Sequence, residues 1–329
     1  MPKNANQKLK LYYLYRILHD KTDDTHSITM PEIQKMLESY GVVADRKSLY
    51  TDMDALRYLG FDIIGEKDGR GFKYYMGSRE LEIAELKLLV DAIQSSKFIT
   101  EKKSNELIKK LTGLVSEYEA TLLKREVVVQ GRIKTMNESI YYIVDEIHNA
   151  VSSNRMISFD YYKWNLKKQM VPRKEDKYVV SPWALTWDDE NYYLIAFDSE
   201  AGKIKHYRVD KMRNIDILDK KREGREHFKN FNVAAYSRKN FGMFGGEETK
   251  VRLEFKNELV GVLLDRFGKD ITIRPSETEG WSLANVDVAL SDQFFGWIFS
   301  LGTGVKIAGP KDVKERFAKE IKEVQEQYT

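Results

Sequence analysis

The chain has 329 residues, more than one hydrophobic core usually organises, so two or three domains are expected. With 42% hydrophobic and 32% charged residues it reads as neither a disordered chain nor a membrane protein, and no apolar run approaches the roughly 20 residues of a membrane span. The absence of cysteine excludes a disulfide framework, a thiolate nucleophile and a zinc–thiolate site, and a net charge of +3 means that any polyanionic partner must be met by cations gathered on one face.

The first ten residues, MPKNANQKLK, lack the apolar core of a signal peptide, which with the lack of cysteine gives an expectation of a cytoplasmic protein. Residues 1–78 form the first expected domain. Within residues 1–76, 12 Lys and Arg stand against 11 Asp and Glu, a net of +1. Leu11, Leu14, Tyr15 and Leu18 recur at helical spacing. Thr29 before Pro31 opens a second helix with Ile33, Met36, Leu37 and Tyr40 as its buried stripe, and Gly41 ends it. Asp45 caps a third helix whose inward face is Leu49, Met53, Leu56 and Leu59, closed by Gly60. Arg46, Lys47, Ser48, Tyr50 and Thr51 then fall on its remaining faces. Two strand-like runs around Gly69-Arg70-Gly71 make a hairpin with a basic tip at Arg70. Helix, helix, short turn, helix and hairpin is the order of a winged helix-turn-helix, in which the third helix enters the DNA major groove and the wing meets phosphates or the minor groove. The plain alternative is a solvated polar face on a small helical domain.

This segment resembles the N-terminal domain of DeoR-type winged-helix repressors. The resemblance rests on Asp45, Arg46-Lys47, Ser48, Leu49, Asp52, Met53, Leu56 and Gly60. It implies double-stranded DNA as partner and Arg46, Lys47, Ser48, Tyr50, Thr51 and Arg70 as its contacts. Tyr50-Thr51 stand where the family often carries Arg or Lys, which implies hydroxyl and aromatic contacts to bases in place of phosphate contacts.

Residues 79–136 read as a helical connector. Leu81, Ala84, Leu88 and Ala92 make one apolar face and Leu107, Leu111, Leu114 and Tyr118 another. Either the connector packs on itself or it joins two protomers as a homodimer on a palindromic site. The run KREVVVQGRIK is left open between a strand and an exposed crossover.

Residues 137–235 open with one helix and continue in five or six short strands, the pattern of a small bent sheet or partial barrel. The runs VSPWALTW, NYYLIAFD and HYRVDKM make this part similar to the WYL domain, with Tyr192-Tyr193-Leu194 at the eponymous motif and Arg208-Val209-Asp210-Lys211 downstream. The resemblance implies an Sm-like β-barrel and a pocket of basic and aromatic groups sensing a nucleotide or single-stranded nucleic acid. Tyr161, Ser181, Tyr193, His206 and Arg208 are the candidate effector contacts, arginine beside aromatics suiting a phosphate with a stacked base. Against this stand a core role for Tyr193 and an internal Arg208–Asp210 ion pair.

FGMFGGEETK reads as a linker to residues 247–329, whose βαββαβ order is ferredoxin-like and resembles the C-terminal extension of WYL regulators. Arg252, Arg274 and Trp297 are candidate contacts for a ligand or a dimer mate, while Trp281 and Phe294-Phe295 read as packing. The fold class expected for the whole is therefore multidomain α+β.

No enzymatic motif stands out. The histidines at 19, 26, 148, 206 and 227 show no metal-ligand spacing, there is no P-loop or Gly-x-Ser-x-Gly, and Gly245-Gly246 and Gly302-Thr303-Gly304 lack a dinucleotide-site context. Asp188-Asp189-Glu190 reads as a solvated hairpin tip in preference to a metal site. The expectation is a homodimeric, effector-responsive transcription regulator with no cofactor and no metal. A single-stranded nucleic-acid-binding accessory protein is the alternative.

Overall fold

A computed structural model of the chain describes residues 5–123, 134–135, 137–229 and 231–329. They form two compact units, Met1–Glu138 and Ser139–Thr329. Residues 124–133, which hold all but the last residue of the KREVVVQGRIK run, lie outside the described residues.

In the first unit, α1 (Lys10–Lys21) precedes the short strand β1 (Ile28–Thr29) and α2 (Met30–Ser39). Thr29 and Glu32 close a reciprocal capping box over the α2 N-terminus, and Pro31 sits in its first turn, where no amide hydrogen is needed. α3 (Arg46–Tyr58) follows, then the hairpin β2 (Ile63–Asp68) and β3 (Gly71–Met76). Asp68 pairs with Gly71 across a two-residue turn, which Gly69 enters at φ 58°, a left-handed conformation that costs glycine little. The three strands order β1-β3-β2, all antiparallel. Leu14, Leu18, Ile33, Leu37, Leu49 and Met53 are fully buried between the helices. Leu11, Tyr15 and Met36 pack half-buried against them, and two expected stripe members are exposed: Tyr40, which stacks on Tyr13 with ring centroids 4.6 Å apart, and Leu59, just past the end of α3.

The connector comprises α4 (Ile83–Ser95), α5 (Glu101–Leu111) and α6 (Glu117–Leu123). Its buried cluster is Leu86, Val90, Ile108, Val115, Ala120 and Leu123. The expected α4 face is thus mostly reversed. Leu81 packs at the cluster's edge, but Ala84, Leu88 and Ala92 are exposed. On the second expected face Leu107 and Leu111 are half-buried, and Leu114 and Tyr118 are exposed.

The second unit begins with α7 (Ile140–Ser152) and runs through β4 (Arg155–Trp164), β5 (Met170–Pro172), β6 (Tyr178–Asp188), β7 (Asn191–Asp198), β8 (Lys203–Arg208) and β9 (Met212–Lys221). The path is β5-β4-β6-β7-β8, and β9 pairs with β4 as well, so the long β4 serves three neighbours along its length and the sheet curls into a half-barrel. Register shifts at Ser158/Asp160 and Pro182/Ala184 supply the bends. The tip at Asp188–Glu190 is less solvated than its composition suggests: Asp188 is half-buried, and that burial raises its pKa against the nearby charge of Arg266.

α8 (Val233–Lys239) crosses the boundary expected at residue 235. The expected linker is partly core, since Phe241 and Met243 are buried. Then come β10 (Glu247–Lys256), α9 (Val260–Phe267), β11 (Ile273–Pro275), β12 (Trp281–Leu290), α10 (Asp292–Ser300), β13 (Val305–Gly309) and α11 (Lys311–Gln325). These strands order β11-β12-β10-β13, all antiparallel. Val251, Leu253 and Phe255 of β10 and Ala284, Val286 and Val288 of β12 face a core that includes Phe294 and Phe295, while the alternate residues face outward. The chain is a mixed α+β protein with several sheets.

Candidate functional site

Two surfaces carry the sequence-derived candidates, one in each unit. In the first, the Asp45 carboxylate accepts the Ser48 amide hydrogen at 3.0 Å and so fixes where α3 starts. With Leu49, Met53 and Leu56 buried, Arg46, Lys47 and Thr51 are exposed on the outer side and Tyr50 is half-buried at its edge. Arg46 Nε donates to the Tyr50 hydroxyl at 2.8 Å, and the guanidinium lies 5.6 Å from the ring centroid. Tyr74 of β3 donates to the same oxygen at 3.4 Å. The Tyr74 donor and then Arg46 stabilise the Tyr50 phenolate and lower its pKa; burial, followed by the Tyr50 contact, pushes Tyr74 up to about 12. Thr51 donates to the Lys47 carbonyl at 3.4 Å, and Arg70 is exposed at the wing tip.

Ser48 departs from this group. Its hydroxyl accepts a hydrogen bond from Lys10 of α1, which also pairs with Asp52 at 2.7 Å, so Ser48 is turned toward the neighbouring helix. Asp54, the acid on the outer side, is paired with Arg57 at 2.7 Å, which leaves Arg46 and Lys47 to set the local charge. Tyr58, at 91% exposure one turn further on, was not singled out from the sequence; an aromatic so unprotected on a helix is the signal it offered.

In the second unit a cavity of about 1100 Å³ opens between the half-barrel, α8 and the start of β10. Tyr161, Tyr193, His206 and Arg208 all line it, so four of the five expected contacts converge. β7 and β8 place three of them side by side, with Tyr193 directly opposite Arg208 and Ile195 opposite His206. The Tyr161 hydroxyl accepts the Arg208 amide hydrogen at 3.1 Å, tying β4 to the end of β8. His206 Nε2 is 2.9 Å from the Tyr236 hydroxyl of α8, and burial depresses the imidazole pKa, favouring the neutral ring.

Arg208 is also the internal ion pair that the sequence allowed. Its Nε and Nη2 each donate to a different Asp210 oxygen at 2.9 Å, and this pairing raises its pKa. The pair does not neutralise the cavity, because Arg173 and Lys211 line it too. Burial and then the Arg208 and Arg173 charges lower the Lys211 pKa, as happens where cations outnumber anions. Tyr161, Tyr178 and Tyr207 stand around Phe159 with centroids 5.2 to 6.2 Å from it, an aromatic wall beside the cations. The arrangement suits an anion that carries a flat ring.

Ser181 does not line the cavity. It is fully buried, and its hydroxyl accepts the Glu223 amide hydrogen at 2.8 Å, closing the end of the half-barrel. Arg173, Tyr178, Lys211 and Tyr236 were missed because they come from a loop, a neighbouring strand, a turn and a helix that no local pattern joins. Gly246, read as a loop glycine, lies at the cavity wall; a Cβ there would come within 1.9 Å of the Leu290 carbonyl oxygen, so only glycine fits. In the last domain Trp297 turns to the core side, 5.4 Å from Phe241 and 5.6 Å from Phe267, whereas Arg252 and Arg274 are exposed.

No curated protein matches the sequence. Among solved structures, proteasome accessory factor B/C of Arthrobacter aurescens aligns at a TM-score of 0.29 and 16% identity over 99% of this chain and 49% of that one, so this chain spans about half its length. A CRISPR Cas-related protein aligns at a TM-score of 0.37 and 13% identity over 75% of this chain and 70% of that one. The sequence matches two family models, one over residues 142–217 and one over residues 247–325, and the cavity-bearing unit is accordingly a WYL domain followed by a WCX domain.

Proposed function

We propose that the chain is a sequence-specific DNA-binding transcription regulator, acting as a cytoplasmic homodimer, whose WYL domain senses a nucleotide or single-stranded nucleic acid. The observation that carries this reading is the outer side of α3, where Arg46, Lys47 and Thr51 are exposed and Arg46 is held over Tyr50. The β1-β3-β2 order around three helices supports a winged helix-turn-helix of the DeoR type. The curled sheet behind α7 supports the Sm-like description, and the order β11-β12-β10-β13 of a βαββαβ unit supports the ferredoxin-like one.

The coupling is thermodynamic. A ligand in the cavity changes DNA affinity only by the difference in its affinity for the DNA-competent and DNA-incompetent states, and DNA changes ligand affinity by the same factor. The chain needs no catalysis for this.

The test starts with selection of bound fragments from the source organism's genomic DNA. Gel shifts then compare the wild type with Arg46→Ala and Tyr50→Ala. Loss of a base contact of ~1–3 kcal/mol weakens specific binding roughly 5- to 150-fold in each variant. Unchanged specific binding in both refutes the DNA reading. Stronger binding to single strands than to duplex across a salt series would favour an accessory protein that handles single-stranded nucleic acid.

A further inference from the structure

A second groove, about 640 Å³, lies on the outer face of the WCX sheet. α8 packs against both β6 and β12 and divides the two recesses, with Tyr236 and Asn240 lining the WYL cavity and Ala235, Arg238 and Lys239 lining the groove. Arg238, Lys250, Arg252 and Arg274 converge on it, and none of the four makes an ion pair or side-chain hydrogen bond with a described residue. The acids on its rim are Asp270 and Asp287. Lys250 lies opposite Asp287 in the sheet register without forming an ion pair. Glu254, further along β10, is already engaged by Lys306 at 3.1 Å and Ser276 at 2.7 Å.

The placement is extended. Lys250 and Arg252 are two residues apart on one strand, roughly 7 Å, and Arg274 stands two strands away from β10, roughly 10 Å. A single phosphate cannot meet cations so spread. Between them the floor is Leu283 with the Asn285 amide, and Trp281 continues the same face of β12. An apolar and amide floor inside a basic rim suits a base-bearing strand better than a bare polyphosphate.

We propose that this groove is a binding site for a segment of single-stranded nucleic acid, with Arg252 and Arg274 contacting successive parts of its phosphate backbone. The proposal takes only the ligand class from the effector reading above and adds a site that the WYL cavity does not contain.

The test uses the full chain and two probes, fluorescein-labelled dT12 read by anisotropy and a fluorescent ATP analogue read by emission. The double variant Arg252→Ala/Arg274→Ala is expected to bind dT12 about 10-fold more weakly at low salt, and its slope of log affinity against log salt to be shallower by ~1.4, two contacts at ~0.7 each. Its affinity for the ATP analogue is expected to match the wild type, while Arg208→Ala loses the ATP analogue. Arg252→Lys/Arg274→Lys, which keeps the charge, is expected to stay within about threefold of wild type on dT12. Wild-type affinity and slope in the alanine pair overturn the groove and leave the cavity reading standing. An equal loss of both probes in that pair also overturns the proposal, because it marks a small-phosphate site. A lysine pair that loses dT12 as fully as the alanine pair also overturns it, because charge is then not the cause.

Discussion

Arg208 has two partners to choose between. Its guanidinium faces a cavity that holds other cations, yet its Nε and Nη2 both donate to Asp210. A ligand anion entering the cavity competes with that carboxylate or adds to it, and in either case the guanidinium plane orients the incoming group. We therefore expect Arg208→Ala to leave operator affinity within about twofold of wild type while raising the dissociation constant for a fluorescent ATP analogue at least ~10-fold, the ~1.5–3 kcal/mol of a hydrogen bond to a charged group. Equal affinity of variant and wild type for the analogue would show that the pair only closes the end of β8. Ser181 supplies the contrast. Its buried hydroxyl accepts from the amide of the exposed Glu223, so Ser181→Ala removes one part-buried hydrogen bond, costs about 1 kcal/mol of stability and spares ligand affinity. A melting curve beside a titration separates the two residues. The sequence could not, because both stand beside aromatics in strand-like runs, and only the pairing of β6 and of β8 with β7 decides which points into the cavity and which into the core.

At the scale of elements, the loop between α1 and β1 is fastened to the start of α6. Ser116 donates to one oxygen of Asp23 at 2.6 Å, and His26 Nδ1 lies 2.7 Å from the other. The His26 ring stacks on Tyr118 at 3.6 Å, and Arg79 donates to the His19 and Thr22 carbonyls while pairing with Glu119 at 3.5 Å. Burial alone raises the Asp23 pKa, but the Ser116, His26 and Thr25 hydrogen bonds outweigh it and bring the group down to about 2. Because the folded value lies below the unfolded one, the carboxylate stabilises this unit above about pH 4, and the contribution fades as pH falls toward 2; at neutral pH it is worth up to about 2 kcal/mol. Asp23→Asn should therefore lower the melting temperature at pH 7 by roughly 5–10 °C, with the gap closing between pH 4 and 2. A gap that is the same at every pH would assign the loss to shape alone. None of this latch was legible in the sequence, since its partners are about 90 residues apart. The α4 stripe fails for a related reason. Ala84, Leu88 and Ala92 and the alternative Leu86 and Val90 both recur at helical spacing, and which set is buried depends on where α5 and α6 lie. By contrast, the start of α3 and the turn of the wing were readable because Asp45 and Gly69 act through their own backbone neighbourhood.

For the whole molecule, the consequence is the assembly. Packing Leu86 and Val90 inward leaves Leu88 at 70% and Leu89 at 42% exposure on one side of α4, flanked by the exposed Ala84 and Ala92. Apolar side chains grouped on one helix face are what a protomer–protomer contact covers, whereas scattered ones are ordinary surface. A regulator whose single α3 offers few charged contacts to DNA gains most from a second copy, because a two-fold dimer places two such helices on two half-sites and doubles the contacts. The net charge points the same way. At +3 for the full chain, one copy has little non-specific attraction for a duplex, and affinity has to come from repeated specific contacts. Sedimentation velocity should accordingly show a species of twice 38.4 kDa, and Leu88→Glu/Leu89→Glu should return it to 38.4 kDa without lowering the melting temperature, since neither leucine belongs to the buried cluster. In gel shifts on a selected operator the same variant should lose the dimer-sized complex and bind an isolated half-site no more weakly than the wild-type monomer does. If the double variant keeps the dimer mass, the contact lies elsewhere on the chain, and the α4 leucines are ordinary surface.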